Sequence, residues 1–162
     1  MPNPFAGTRF YARLGNLVTR PLWSRLPAPP GFGILTTTGR RSGLPRPQSV
    51  RAIRDGDRVV VVCMMGERAD WLENIRANPQ VTIRLGDQTV RGVAREVVDA
   101  GERQRAAELY IGTTQASDYL DYAVYHWGFP TRRKIERAHR RWFEEGIAVV
   151  IRLEPGTSCS RA

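Results

Sequence analysis

Two tight turns constrain this chain most. Asp55-Gly56-Asp57 separates Gln48–Arg54 from Arg58–Met64, and Gly86-Asp87 separates Val81–Leu85 from Gln88–Val97. Such dipeptides between β-branched runs predict hairpins, because glycine supplies the positive φ that a short connection needs. Strands joined in this way are antiparallel. Gly33–Thr38 reads as a further strand, ending in the glycine-bounded turn Gly39-Arg40-Arg41-Ser42-Gly43. Arg58–Met64 and Ile147–Leu153 are apolar at successive positions, the pattern of strands buried on both faces. Helical spacing predicts Ala69–Asn78, with Trp71, Leu72 and Ile75 on one side and Pro79 as its stop. Three more helices are predicted over Gly101–Ile111, Tyr119–Trp127 and Arg132–Glu145, the last strongly basic in its first part. About six strands in hairpins with interposed helices predict an α+β fold built on an antiparallel sheet or barrel.

Ahead of these strands, Phe10, Leu14 and Leu17 recur at helical spacing over residues 8–20, with arginines on the other faces. Pro27-Ala28-Pro29-Pro30-Gly31 then stops the helix and reads as a linker. The expected organisation is a basic amphipathic helix with its linker over residues 1–30 and one domain over 31–162. That helix either packs on the domain or lies on a membrane surface, as a peripheral contact. No stretch approaches the ~20 apolar residues that span a bilayer. Cys63 and Cys159 lie far apart, so neither a disulfide scaffold nor a zinc knuckle is expected, and a cytoplasmic location fits.

Charge is distributed unevenly. The chain has 25 basic residues, of which Lys134 is the one lysine, and its first acid is Asp55. Residues 1–54 hold nine arginines, while residues 55–162 hold 16 basic and 16 acidic residues. The whole net charge of +9 therefore arises in the first third. It reads either as a solvated surface or as a site for an anion: nucleic acid, acidic lipid or a phosphorylated cofactor.

Several chemistries lack their signatures. There is no GxGxxG, Walker A loop, GxSxG or HExxH. His126 and His139 have no carboxylate at ligand spacing and read as surface or packing residues. The best constellation is Thr36-Thr37-Thr38-Gly39-Arg40-Arg41-Ser42-Gly43-Leu44-Pro45-Arg46. Its two glycines would turn backbone N–H groups into a concavity, where guanidiniums and a hydroxyl join them to bind phosphate. The same residues read equally as an exposed arginine-rich turn.

That segment, followed by a strand, Asp-Gly-Asp-Arg and a second strand, resembles the deazaflavin-dependent nitroreductase and quinone reductase family of actinobacteria. The likeness continues in Trp71-Leu72-Glu73-Asn74-Ile75-Arg76-Ala77-Asn78-Pro79, similar to the family's Trp-x-x-Asn-Leu-x-Ala-Asn-Pro. It implies a split β-barrel of the flavin-reductase type. It implies coenzyme F-420, a deazaflavin with a phosphorylated, polyglutamylated tail, with FMN or haem as alternative occupants of such a barrel. By similarity, Arg41 and Arg46 would grip the tail, helped by Arg40, Ser42 and the backbone amides around Gly43. Cys63, Met64 and Met65, at the end of a strand, would line the ring, and Trp71 and Asn74 would close over it. The resemblance also implies hydride transfer from the reduced coenzyme to quinones, enones or nitro compounds. Tyr122 would then give the proton, with Tyr119 and Tyr125 as walls, although tyrosines at this spacing also form packing stripes. Met64-Met65 and a short loop before Trp71 depart from the family pattern on the substrate side. A reading from another class makes the basic first third a non-catalytic nucleic-acid or lipid-binding module. The compact, phosphate-sized turn argues against nucleic acid, and a small-molecule acceptor is the expected partner.

Overall fold

The computed structural model describes residues 28–126 and 129–155, so the helix expected over 8–20, and any membrane contact through it, lies outside the described residues. Six strands run as β1 (Phe32–Thr38), β2 (Pro45–Asp55), β3 (Arg58–Cys63), β4 (Gln80–Leu85), β5 (Gln88–Glu96) and β6 (Ile147–Leu153). Four helices are interposed: α1 (Asp70–Ala77), α2 (Ala100–Gly112), α3 (Ala116–His126) and α4 (Arg132–Glu145). The strands close into an antiparallel barrel in the order β1-β2-β3-β6-β5-β4, and β4 pairs back onto β1. The expected α+β split-barrel architecture is thus the observed one.

Side-chain alternation builds two cores from one sheet. Leu35, Val50, Ala52, Val59, Val61, Val149 and Ile151 point into the barrel. Ile53, Val60, Val62 and Val150 point outwards and are covered by Ala106 and Tyr110 of α2 and Phe143 of α4. This explains why β3 is apolar from Val59 to Cys63 and β6 from Ile147 to Ile151: both faces of these runs are dry. Leu72 and Ile75 of α1 join the inner core, so α1 plugs one end of the barrel.

β2 departs from the expected pattern by beginning at Pro45 rather than Gln48. Its first half overhangs: β1 pairs with residues 45–51, whereas β3 pairs only with 52–55. Ala52 N donates to Gly31 O and Leu44 O accepts from Gly39 N, so even-numbered positions turn their backbone groups towards β1. Pro45 and Pro47 therefore face the unpaired side, where the missing N–H breaks no ladder. The even positions also put Arg46, Gln48 and Val50 on the barrel's inner face, while the odd position Arg51 faces outwards.

Candidate cofactor-binding site

Along the inner face of β2 the side chains change from Ala52 and Val50 to Gln48 and Arg46 as the strand reaches the barrel mouth. Here a cavity of about 420 Å³ opens, lined by Gly39, Arg40, Arg41, Ser42, Arg46, Pro47, Gln48, Asp70, Trp71 and Asn74. Seven lining residues come from the β1–β2 turn and overhang, and three from α1. The turn needs both of its glycines. A Cβ on Gly39 would stand 2.7 Å from Ser42 Oγ, and Gly43 has φ of 65°.

The turn is held from behind by one buried side chain. Asn74, 4% exposed, donates through Nδ2 to Thr37 Oγ1 at 3.0 Å. Its Oδ1 accepts from Arg40 N at 3.1 Å and from Arg40 Nη1 at 3.3 Å. Arg40 also forms an ion pair with Asp70 at 3.2 Å. Arg40 and Asn74 thus tie the turn to α1.

Arg46 and Arg41 are left facing the cavity. Arg46 Nη2 donates to Ser42 Oγ at 3.2 Å, and Leu44 N donates to the same oxygen at 3.3 Å. With both bonds accepted, the Ser42 O–H remains a donor for a ligand. Arg41 makes no hydrogen bond or ion pair among the described residues and is exposed. Three guanidiniums against the one carboxylate of Asp70 leave the mouth cationic.

Four expectations are corrected here. The turn amides do not form an anion-binding concavity: Ser42 N and Gly43 N donate to Gly39 O, Gly39 N to Leu44 O, and Arg40 N to Asn74. Side chains, rather than the main chain, carry the positive charge. Cys63 does not line the cavity; it is 1% exposed inside the barrel, with Sγ 3.4 Å from Gly66 O. Burial pushes its thiol up to about 11, so it is an inert core residue. Tyr119 and Tyr122 are not brought to the cavity either. Met64 is 58% exposed just beyond β3, and Met65 packs on the inner core; neither lines the cavity. Trp71 stands half-buried in the cavity wall.

The reason the tyrosines are elsewhere is a buried ionic cluster on the outer layer. Arg51, 8% exposed, meets Asp118 with Nε to Oδ1 at 2.9 Å and Nη2 to Oδ2 at 3.3 Å. Its remaining donors go to the carbonyls of Tyr110 and Thr113 at the end of α2, and its guanidinium lies 4.3 Å from the Tyr110 ring centroid. Gln115 N also donates to Asp118, and His139 Nε2 of α4 lies 3.5 Å from it. Burial pushes the Asp118 carboxyl up, but bonds from His139, Arg51 and Gln115 outweigh it and hold the group well below the usual carboxylate range. The cluster anchors α3 five residue steps along β2 from Arg46, a strand distance of roughly 17 Å. His139 is thereby a packing residue, as expected; the His126 side chain lies outside the described ones.

Sequence reasoning also missed Asp70, Gln48 and Thr37. Asp70 could have been found from its i, i+4 spacing to Asn74, and Thr37 from sharing a strand face with Leu35.

Comparison with known proteins places this arrangement. Residues 8–134 match the model of the F-420H(2)-dependent quinone reductase family. The chain belongs to that family. An F-420H(2)-dependent quinone reductase of Mycobacterium tuberculosis (strain ATCC 25618 / H37Rv) is 34% identical over 101 residues, 60% of this chain and 68% of that protein. Among solved structures, a reductase dependent on reduced F-420 superposes with a TM-score of 0.52 at 19% identity, covering 77% of this chain and 96% of the other. A haem-binding protein from Mycobacterium smegmatis gives a TM-score of 0.51 at 15% identity, over 76% and 46% of the two chains. Barrels this similar serve different cofactors, so the fold alone does not choose one.

Proposed function

We propose that the arginine-lined barrel mouth of this F-420H(2)-dependent quinone reductase family member binds the anionic tail of coenzyme F-420. The chain is an oxidoreductase that passes a hydride from reduced F-420 to a quinone. When bound, the reduced deazaflavin supplies that hydride, and the protein supplies position and charge. Activated enones and nitro compounds are further acceptors on this reading.

The observation that carries the assignment is the contrast in bonding among the turn arginines. Arg40 is spent on Asp70 and Asn74, while among the described residues Arg41 has no partner and the Arg46 side chain holds only a neutral hydroxyl. A phosphodiester followed by carboxylates matches two planar forks without an acidic partner among the described residues, and the Ser42 donor. Asn74 is a positioning residue, fixing the turn from which Arg41 projects. Trp71 offers an aromatic wall beside the charged end, suited to a flat ring.

The test is a titration of the purified protein with F-420 and with FMN, followed by fluorescence. FMN has one phosphate and no polycarboxylate tail, so it engages fewer guanidiniums and binds more weakly. F-420 affinity falls as salt rises, because the cavity is open to solvent. Equal or tighter binding of FMN would overturn the assignment.

A further inference from the structure

Among the described residues outside the cavity, α4 carries a concentrated charge that the chemistry leaves unused. It holds six cations at positions 132, 133, 134, 137, 140 and 141, against acids at 136, 144 and 145. Ile135, His139 and Phe143 recur every four residues and are buried, so this stripe faces the molecule. The opposite face is in water. Arg132 pairs with Glu136, and Arg141 with Glu145, each at 2.8 Å. Arg133, Arg137 and Arg140 have no acidic partner among the described residues, and Lys134 Nζ donates to the Phe129 carbonyl at 3.2 Å.

The order of these charges opposes the helix they sit on. The first turn contains no acid and the last turn no base, the reverse of what the macrodipole favours at each end. Thr131 caps the N-terminus with its hydroxyl, yet Arg132, Arg133 and Lys134 follow it. A sequence serving helix stability alone would place the signs the other way, so the layout answers to something outside the helix. Two residues before the cap stands Phe129, 92% exposed. An aromatic ring in water beside a cationic helix face is suited in both respects by the headgroup layer of an anionic bilayer.

We infer that the outer face of α4, together with Phe129, docks this protein on an anionic lipid surface. The arginines meet phosphate headgroups, and Phe129 enters the interfacial layer beneath them. The surface is a convex helix rather than a groove, which suits a membrane better than a nucleic-acid strand.

The experiment uses the full chain and co-sedimentation with two kinds of vesicle: pure phosphatidylcholine, and phosphatidylcholine with about one third phosphatidylglycerol. Binding is expected to the anionic vesicles only, and to weaken with salt. Each cation near such a surface is worth roughly fivefold, so the variant Arg133→Glu/Arg137→Glu/Arg140→Glu loses roughly a hundredfold or more. Phe129→Ala gives a smaller loss that salt does not change. The triple variant places an acid in the first turn, so its melting temperature holds or rises while lipid binding is lost. A triple variant that binds as the parent does would overturn the inference and move binding to residues 1–27. Equal binding to neutral vesicles, binding to neither kind, or tighter binding of a single-stranded oligonucleotide would overturn it too.

Discussion

Arg46 and Arg51 stand on one strand and serve opposite ends. Position 46 faces the barrel mouth, exposed, with a single neutral hydroxyl as its side-chain partner. Position 51 faces the outer layer, buried, with Asp118, two helix-end carbonyls and a tyrosine ring around it. A period of two residues separates the fates of two identical side chains. The comparison teaches where positive charge is structural and where it is available: a guanidinium already saturated by the protein has nothing to offer a ligand.

The difference is broken most severely on the buried side. Arg51→Met strands the Asp118 carboxylate in a dry layer and lowers unfolding free energy by about 3–5 kcal/mol. Urea denaturation measures this, and F-420 affinity of the folded fraction stays as it was. Acid reads the same cluster. Because the folded carboxyl of Asp118 lies below its unfolded value, its contribution is complete above the unfolded pKa of about 3.9. It is lost as pH falls through the lower, folded value. Asp118→Asn flattens that part of the stability profile, and a profile unchanged from the parent's would refute the role given to Asp118.

Arg46→Ala acts on the exposed side. It weakens F-420 binding by about 1.5–3 kcal/mol, the range for losing a hydrogen bond to a charged group, and leaves the melting temperature unchanged. Isothermal titration beside a thermal melt separates the two readouts. Asp70→Asn sharpens the comparison in the other sense, since it releases Arg40 from an exposed pair. F-420 affinity then rises by about 0.2–1 kcal/mol, the scale of a surface ion pair. Smallest of all is Tyr122→Phe: with α3 anchored on the outer layer through Asp118, F-420 affinity changes by less than about 0.5 kcal/mol. A larger change in direct titration would bring α3 back to the cavity.

Much of this was legible from residues alone. The hairpin dipeptides and the doubly apolar β3 and β6 dictate an antiparallel barrel, and the glycine-bounded turn marks the mouth. Pro45 and Pro47 concealed the start of β2, because prolines read as loop unless the strand is known to overhang its neighbour. Arg51 was hidden for a different reason. One charge inside an apolar strand signals a buried counter-ion, but Asp118 lies 67 positions away and only the fold brings it near. Cys63 illustrates the limit at a strand end: the final residue lies inside the barrel or outside it according to register, which the run Val-Val-Val-Val does not reveal.

The overhang has a consequence for how the molecule behaves in a crowd. An unpaired strand edge is a template on which a passing strand can build, and so a nucleus for aggregation. Along β2 that edge has been disarmed. Pro45 and Pro47 offer no N–H, and the Ser49 carbonyl accepts from Gln48 Nε2 at 3.2 Å. A second strand would find no continuous ladder to extend. A small anion, which needs only the side chains of the inner face, meets no such obstacle. The barrel mouth is open to a ligand, while its edge resists extension by another strand.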